Sequence, residues 1–193
     1  TNKFKLERDR GAAISEARKD SYLAADVADL LIQQVGLELN NQYLYYNFGI
    51  WMDINSPFGQ AAYFYHRAGE ERDHAQWIIE YLTQADFLFS IPGTDAQYID
   101  IYKTKKELSV KDPHDETLIR EIETTRAINN IKAVADETND YLTSHWLRRL
   151  LLEQAEEEEL SHTALDIFSH TDDPLIVDKY FKDVVMGQLP AQG

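Results

Sequence analysis

The stretch GEERDHAQWII, residues 69–79, sets Glu71 and His74 one helical turn apart, in phase with Ala68 and Ala75. A carboxylate and an imidazole at i and i+3 can hold one divalent metal ion from a single helix face. Glu38 lies 33 positions earlier (71 − 38) on another apolar stripe. The interval recurs between Glu121 and Gln154 (154 − 121), and Gln154-x-x-Glu157 then takes the place of Glu71-x-x-His74. A buried carboxylate without a partner costs several kcal/mol, so glutamates on several inward stripes require a compensating cation. The four glutamates carry a formal −4, which balances two ferrous ions. Oxygen donors with one imidazole suit iron, and suit zinc or manganese less selectively. Tyr45, two turns after Glu38, falls close enough to hydrogen-bond a ligand or act in redox chemistry.

These residues need helices to position them, and helical periodicity runs through the chain. A first helix, capped at Asp20 or Ser21, carries Val27, Leu31, Gln34, Glu38, Tyr45, Phe48 and Met52 inward and stops near Pro57. A second carries Ala61, Phe64, Ala68, Glu71, Ala75, Ile78 and Leu82. Residues 86–113 form a long connection, with local helix around AQYIDIYKTKKEL. A third helix starts near DPHDETLI, with Leu118, Ile122, Ile128, Ile131 and Val134 inward, and DETND interrupts it. A fourth runs from Tyr141 with Leu147, Leu150, Gln154, Glu157, Ser161, Leu165 and Phe168 on one face. DDPLIVDKYFKDVVMG forms a short fifth, with Ile176, Tyr180, Phe181 and Val184 apolar and Gly187 at its end. The fold class is all-α: a four-helix bundle over about 21–170, with a long crossover between helices 2 and 3. A short C-terminal helix over about 174–187 completes a single domain of 1–193.

Composition narrows the function. The 193 residues hold 19 Lys and Arg against 34 Asp and Glu, a formal charge of −15. Such a chain repels nucleic acid and anionic membranes and attracts cations. With no cysteine, disulfides, thiolate metal sites and a cysteine nucleophile are excluded. No apolar run is long enough to span a bilayer and no secretory signal is visible, so a cytoplasmic location is expected.

Three segments carry a family resemblance: LELNNQYLYYNF, GEERDHAQWI and LLEQAEEEE are similar to helix motifs of non-haem ferritins, particularly the prokaryotic kind. The resemblance spans about residues 22–186. It implies an iron-storage subunit with ferroxidase activity, oxidising Fe(II) with dioxygen or peroxide and storing Fe(III) as mineral inside a homo-oligomeric, 24-subunit cage. It further implies a first iron site of Glu38, Glu71 and His74. A second is shared through Glu71 and completed by Glu121 and Glu157, with Gln154 alongside. An auxiliary third site maps to Glu70, Glu153 and Glu156, and Glu70 and Asp73 would face the storage cavity.

The chain departs from the family in places. The acidic pair of the three-fold channels in animal ferritins falls on Ser144 and Leu147. A tryptophan near the site in some bacterial ferritins falls on Arg149, with Trp146 one turn earlier. Haem-binding relatives carry methionine after the bridging glutamate, where this chain has Arg72, so haem is not expected.

Competing assignments remain within the motifs. Glu123 rivals Glu121 as a ligand. Glu159 and His162 form a second Glu-x-x-His, as a peroxide-reducing di-iron protein of the rubrerythrin sort would use. Glu159 is about 200° from Glu157 around the helix, which points it away from the core. His66, His114, His145 and His170 are expected at the surface.

Overall fold

The computed structural model describes residues 23–56, 59–93 and 108–188. Four long helices make up most of it: α1 (Ala25–Asn55), α2 (Gln60–Gln84), α3 (Asp112–Glu137) and α4 (Tyr141–Asp166). A 3-10 turn, Ile167–Ser169, leads to α5 (Pro174–Tyr180), which continues through a π-helical turn, Phe181–Val185, into Met186–Gln188. No strand occurs among the described residues.

Local chemistry sets the helix ends. Asp140 starts α4, its Oδ1 accepting from Thr143 N at 3.1 Å and its Oδ2 from Thr143 Oγ1 at 2.7 Å. Asp173 starts α5 by accepting from Leu175 N at 2.9 Å, and Pro174 follows in the first turn, where its missing N–H costs nothing. DETND ends α3, where Asn139 takes φ 58°. The expected caps Asp20 and Ser21, Pro57, and the expected local helix after Asp95 lie outside the described residues; α1 begins at Ala25.

Contacts between helix ends fix the topology. Gln60, at the start of α2, meets His114 at the start of α3, while Tyr81, at the end of α2, meets Thr143 at the start of α4. Thus α2 and α3 run parallel, which the long connection between them permits. Ala24 N donates to Asp140 Oδ2 at 3.4 Å, so α1 and α4 begin at the same end. The closest packing is within the pairs α1–α2 and α3–α4, and α1 and α3 join the pairs.

Two apolar clusters fill the bundle. One gathers Val27, Leu31, Ile78, Leu82, Ile128 and Leu150; the other gathers Leu44, Phe48, Met52, Phe64, Phe181 and Val185. Each fully buried side chain of this size contributes about 1.5–3 kcal/mol. The glutamates lie between the clusters, where each inward stripe changes from apolar to polar and back.

The structure corrects the expected faces at four points. On α3 the inward residues near the middle are Thr117, Glu121 and Thr124, while Leu118, Ile122 and Val134 are only half-buried. Ala164 and Ile167, rather than Leu165 and Phe168, are buried at the end of α4. In the tail, Val177, Phe181 and Val185 face inward at four-residue steps. Ile176 and Val184 are exposed, the inward face lying one residue out of phase with the expected one, and the helix runs past Gly187. His114 is 1% exposed, ringed by Tyr63, Phe64, Phe168 and Phe181 and hydrogen-bonded to Gln60 Oε1 at 2.8 Å. The tail helix closes over it, which α3 periodicity alone does not reveal.

Candidate metal centre

Each long helix sends at least one donor into the space between the clusters. Glu38, Glu71 and His74 place ligand atoms within 4.8 Å of one another, and so do Glu71, Glu121 and Glu157. Glu71 belongs to both groups. Glu38, Glu71 and Glu121 are completely buried, with His74 at 3% and Glu157 at 6% exposure.

Hydrogen bonds treat the carboxylates unequally. Gln34 Nε2 donates to Glu38 Oε1 at 2.7 Å. Glu121 is held most firmly: Tyr45 Oη donates to its Oε1 at 2.5 Å and Gln154 Nε2 to its Oε2 at 3.1 Å. Neither oxygen of Glu71 has a hydrogen-bond partner, nor has Glu38 Oε2 or Glu157 Oε2. Buried oxygens of this kind, converging from three helices, suit a divalent cation.

The electrostatics follow. Burial pushes the Glu71 carboxyl well above the usual range, and Glu121, Glu38 and Glu157 add to the shift. Burial also drives Glu157 up against the opposing Arg67 charge, with Glu121, Glu70 and Glu38 adding to the rise. Burial would raise Glu121 too, yet the Arg67 guanidinium and the Tyr45 and Gln154 hydrogen bonds hold it below its ordinary value. Burial and the neighbouring Glu121 raise Tyr45 well above the phenol range, so it stays a donor.

Arg67 is the residue that sequence reasoning missed. It is fully buried, with Nη2 2.5 Å from Glu121 Oε1, and Nη1 3.2 Å from Glu157 Oε1 and 2.9 Å from Glu70 Oε2. The four glutamates therefore share their pocket with a fixed positive charge. Its position was readable: three residues after Phe64 and four before Glu71, it falls in phase with the α2 stripe. Trp77 was also overlooked. Its ring centroid is 5.2 Å from that of His74, and the Arg149 guanidinium stacks over it at 3.6 Å. An indole therefore flanks the site from α2 rather than α4.

The remaining candidates lie outside the two buried donor groups. Glu70, Glu153 and Glu156 line a recess of about 260 Å³ with Arg67 and Glu157, next to the buried donors. Glu70 already pairs with Arg67 and lies 3.4 Å from His66 Nδ1. Asp73 is at the surface, paired with Arg72 at 2.8 Å. Glu123 is exposed and paired with Arg120, away from the donors. Glu159 and His162 are exposed and join neither donor group, although Glu159 also lines the recess.

A family model for the ferritin-like domain, described as Ferritin, matches residues 28–169. The bacterial non-heme ferritin of Escherichia coli is 30% identical over 147 residues, 76% of this chain and 86% of the relative. That of Campylobacter jejuni is 27% identical over 174 residues, 86% and 98%. Among solved structures, the open-pore ferritin of the archaeon Archaeoglobus fulgidus superposes with a TM-score of 0.71. The identity is 17%, with 83% of this chain and 97% of that one covered, a likeness of fold.

Proposed function

The chain belongs to the ferritin-like family, and on that footing we propose that it is an iron-storage subunit with ferroxidase activity. Its substrates are two Fe(II) ions per chain and dioxygen, and its product is Fe(III) stored as mineral. One observation carries the reading: Glu71 contributes to both donor groups, and both of its oxygens are free of hydrogen bonds. A carboxylate so placed can bridge two cations a few ångströms apart, the separation that two-metal chemistry needs.

Glu38, Glu71 and His74 hold the first ion; Glu71, Glu121 and Glu157 hold the second. Glu71 and Glu157 give up protons as the ions bind, whereas Glu121 stands ionised beforehand. Tyr45 and Gln154 keep Glu121 oriented, and Trp77 packs against the His74 ring. Each Fe(II) gives up one electron; dioxygen takes both and, with two protons, leaves as hydrogen peroxide. Glu70, Glu153 and Glu156 form an acidic recess on the flank and would hold an auxiliary ion in transit.

Storage requires a shell, and a homo-oligomer of 24 subunits, each a single domain, is the assembly proposed. Large apolar side chains exposed on one chain support it, among them Tyr43, Ile50 and Ile54 on α1 and Leu175 and Ile176 on the tail helix. No helix among the described residues is long and apolar enough to cross a membrane. The cytoplasm is the compartment proposed.

Two measurements test the reading. Native mass in solution should be that of a cage, and a dimer would remove the storage role. Ferrous oxidation, followed by the ultraviolet absorbance of the ferric product, should collapse in Glu71→Ala and in His74→Ala. Unchanged initial rates in both would exclude this site.

A further inference from the structure

The two donor groups differ in charge. Around Glu38, Glu71 and His74, the partners on the carboxylates are neutral: Gln34 on Glu38 Oε1, and none on either Glu71 oxygen. Around Glu121 and Glu157 a guanidinium is already seated, touching one oxygen of each. An incoming divalent ion would face a full positive charge at contact distance, in surroundings that screen it poorly.

Arg67 also has somewhere to go. Its Nε has no hydrogen-bond partner, so its hydrogen bonds come only from its two terminal nitrogens, with the Tyr45 ring centroid 5.8 Å away. One of these, Nη1, lies between Glu157 at 3.2 Å and Glu70 at 2.9 Å. Glu70 belongs to the acidic recess of about 260 Å³, and Arg67 itself forms part of its wall. A rotation that gives up Glu121 and Glu157 while keeping Glu70 would move the guanidinium outward without leaving it unpaired. The planar fork of an arginine can exchange one carboxylate for another in this way.

We propose that Arg67 is the affinity-setting residue of the second metal position: it occupies Glu121 and Glu157 when no ion is bound and yields them by swinging toward Glu70. This rests on Glu71, Glu121 and Glu157 being the second set of ligands. Loading is then sequential. The first ion binds at Glu38, Glu71 and His74 against no fixed guanidinium, giving up only the 3.5 Å contact of His74 Nε2 with Glu157 Oε1, and the second binds only against Arg67. The same residue divides the buried pair from the recess, so the second position exchanges ions with the flank only when Arg67 moves.

The test is anaerobic titration of the metal-free, full-length assembly with Co(II), read by calorimetry and by quenching of Trp77 beside His74. The wild type should bind one ion per chain tightly and a second at least about tenfold more weakly. Arg67→Gln should strengthen the second step by about tenfold or more and leave the first within about twofold. Arg67→Lys, which keeps a charge but cannot span two carboxylates, should fall between them and serves if the glutamine variant does not fold. A second step unchanged or weakened in the variant that folds overturns the role of Arg67. Absence of any binding that Glu71→Ala abolishes overturns the di-metal reading itself, and the inference with it.

Discussion

Tyr45 donates its hydroxyl to Glu121 Oε1 at 2.5 Å, the same oxygen that the Arg67 guanidinium contacts. One carboxylate oxygen thus receives a neutral donor from α1 and a charged one from α2. Tyr45→Phe removes the neutral donor and leaves the charge, so the metal-free protein should lose only about 1 kcal/mol in urea unfolding. Affinity for the second ion should fall by roughly tenfold, because Glu121 loses a group that orients it. Calorimetric titration of the variant with unchanged second-ion affinity would assign Tyr45 to packing alone.

Ion binding should release protons. Glu71 and Glu157 have carboxyls raised well above the ordinary value of 4.5, chiefly by burial. Each binds its proton more tightly folded than unfolded, so its contribution to metal-free stability is greatest at low pH. That contribution declines as pH rises above about 4.5 and through the raised folded value. Cations compete for the same oxygens, so apparent affinity should increase with pH over that interval. Titrations in two buffers of different ionisation enthalpy should give different heats; equal heats would mean both carboxyls were already ionised.

His114 should make the bundle sensitive to mild acid. Burial, helped by the nearby Lys111 charge, pushes its imidazole from 6.5 down to about 3. The folded protein therefore favours the neutral ring. Stability from this group is complete above 6.5 and is lost progressively as pH falls toward about 3. His114→Phe should flatten the dependence of the urea midpoint on pH between these limits. A variant as acid-sensitive as the wild type would place the effect elsewhere.

Phe181→Ala should cost about 3–5 kcal/mol in urea unfolding. The side chain is fully buried, edge-on to Tyr63 and against His114 and Phe168. Because the cavity opens in the cluster nearer the tail, the folded variant should oxidise Fe(II) at an unchanged initial rate. A proportional loss of rate would mean that the tail helix positions the metal ligands.

His162→Ala and Glu159→Ala should leave initial ferrous oxidation unaltered, since neither side chain belongs to the buried donor groups. A loss comparable to that of His74→Ala would instead favour a peroxide-reducing di-iron protein.

Much of this arrangement is visible in residue spacing, because ligands on helices inherit the helical period. The recurring 33-residue interval works because each hairpin returns its second helix beside the first at nearly the same level. Gln154 reaches Glu121 in the structure for that reason. Periodicity weakens where polar residues take inward positions: Thr117 and Thr124 displace the apolar face expected of α3. It fails at the tail, where neighbouring apolar residues such as Ile176 and Val177 leave the phase open by one residue, and at His114, whose cover comes from a helix 60 residues later. Arg67 escaped notice for a different reason. Its phase places it on the inward stripe of α2, but an arginine in sequence resembles a surface residue, and its three carboxylate partners are what let it stay inside.

The parallel course of α2 and α3 also bears on kinetics. The α1–α2 and α3–α4 pairs are separate hairpins in chain order, and the seam between them runs through the candidate metal centre. An ion held by Glu71 on one side and Glu121 on the other crosses that seam. Such a link forms only after the hairpins have docked, so it is absent while they assemble. Its effect should fall on the rate of coming apart: metal-loaded protein should refold at the speed of the metal-free chain and unfold far more slowly.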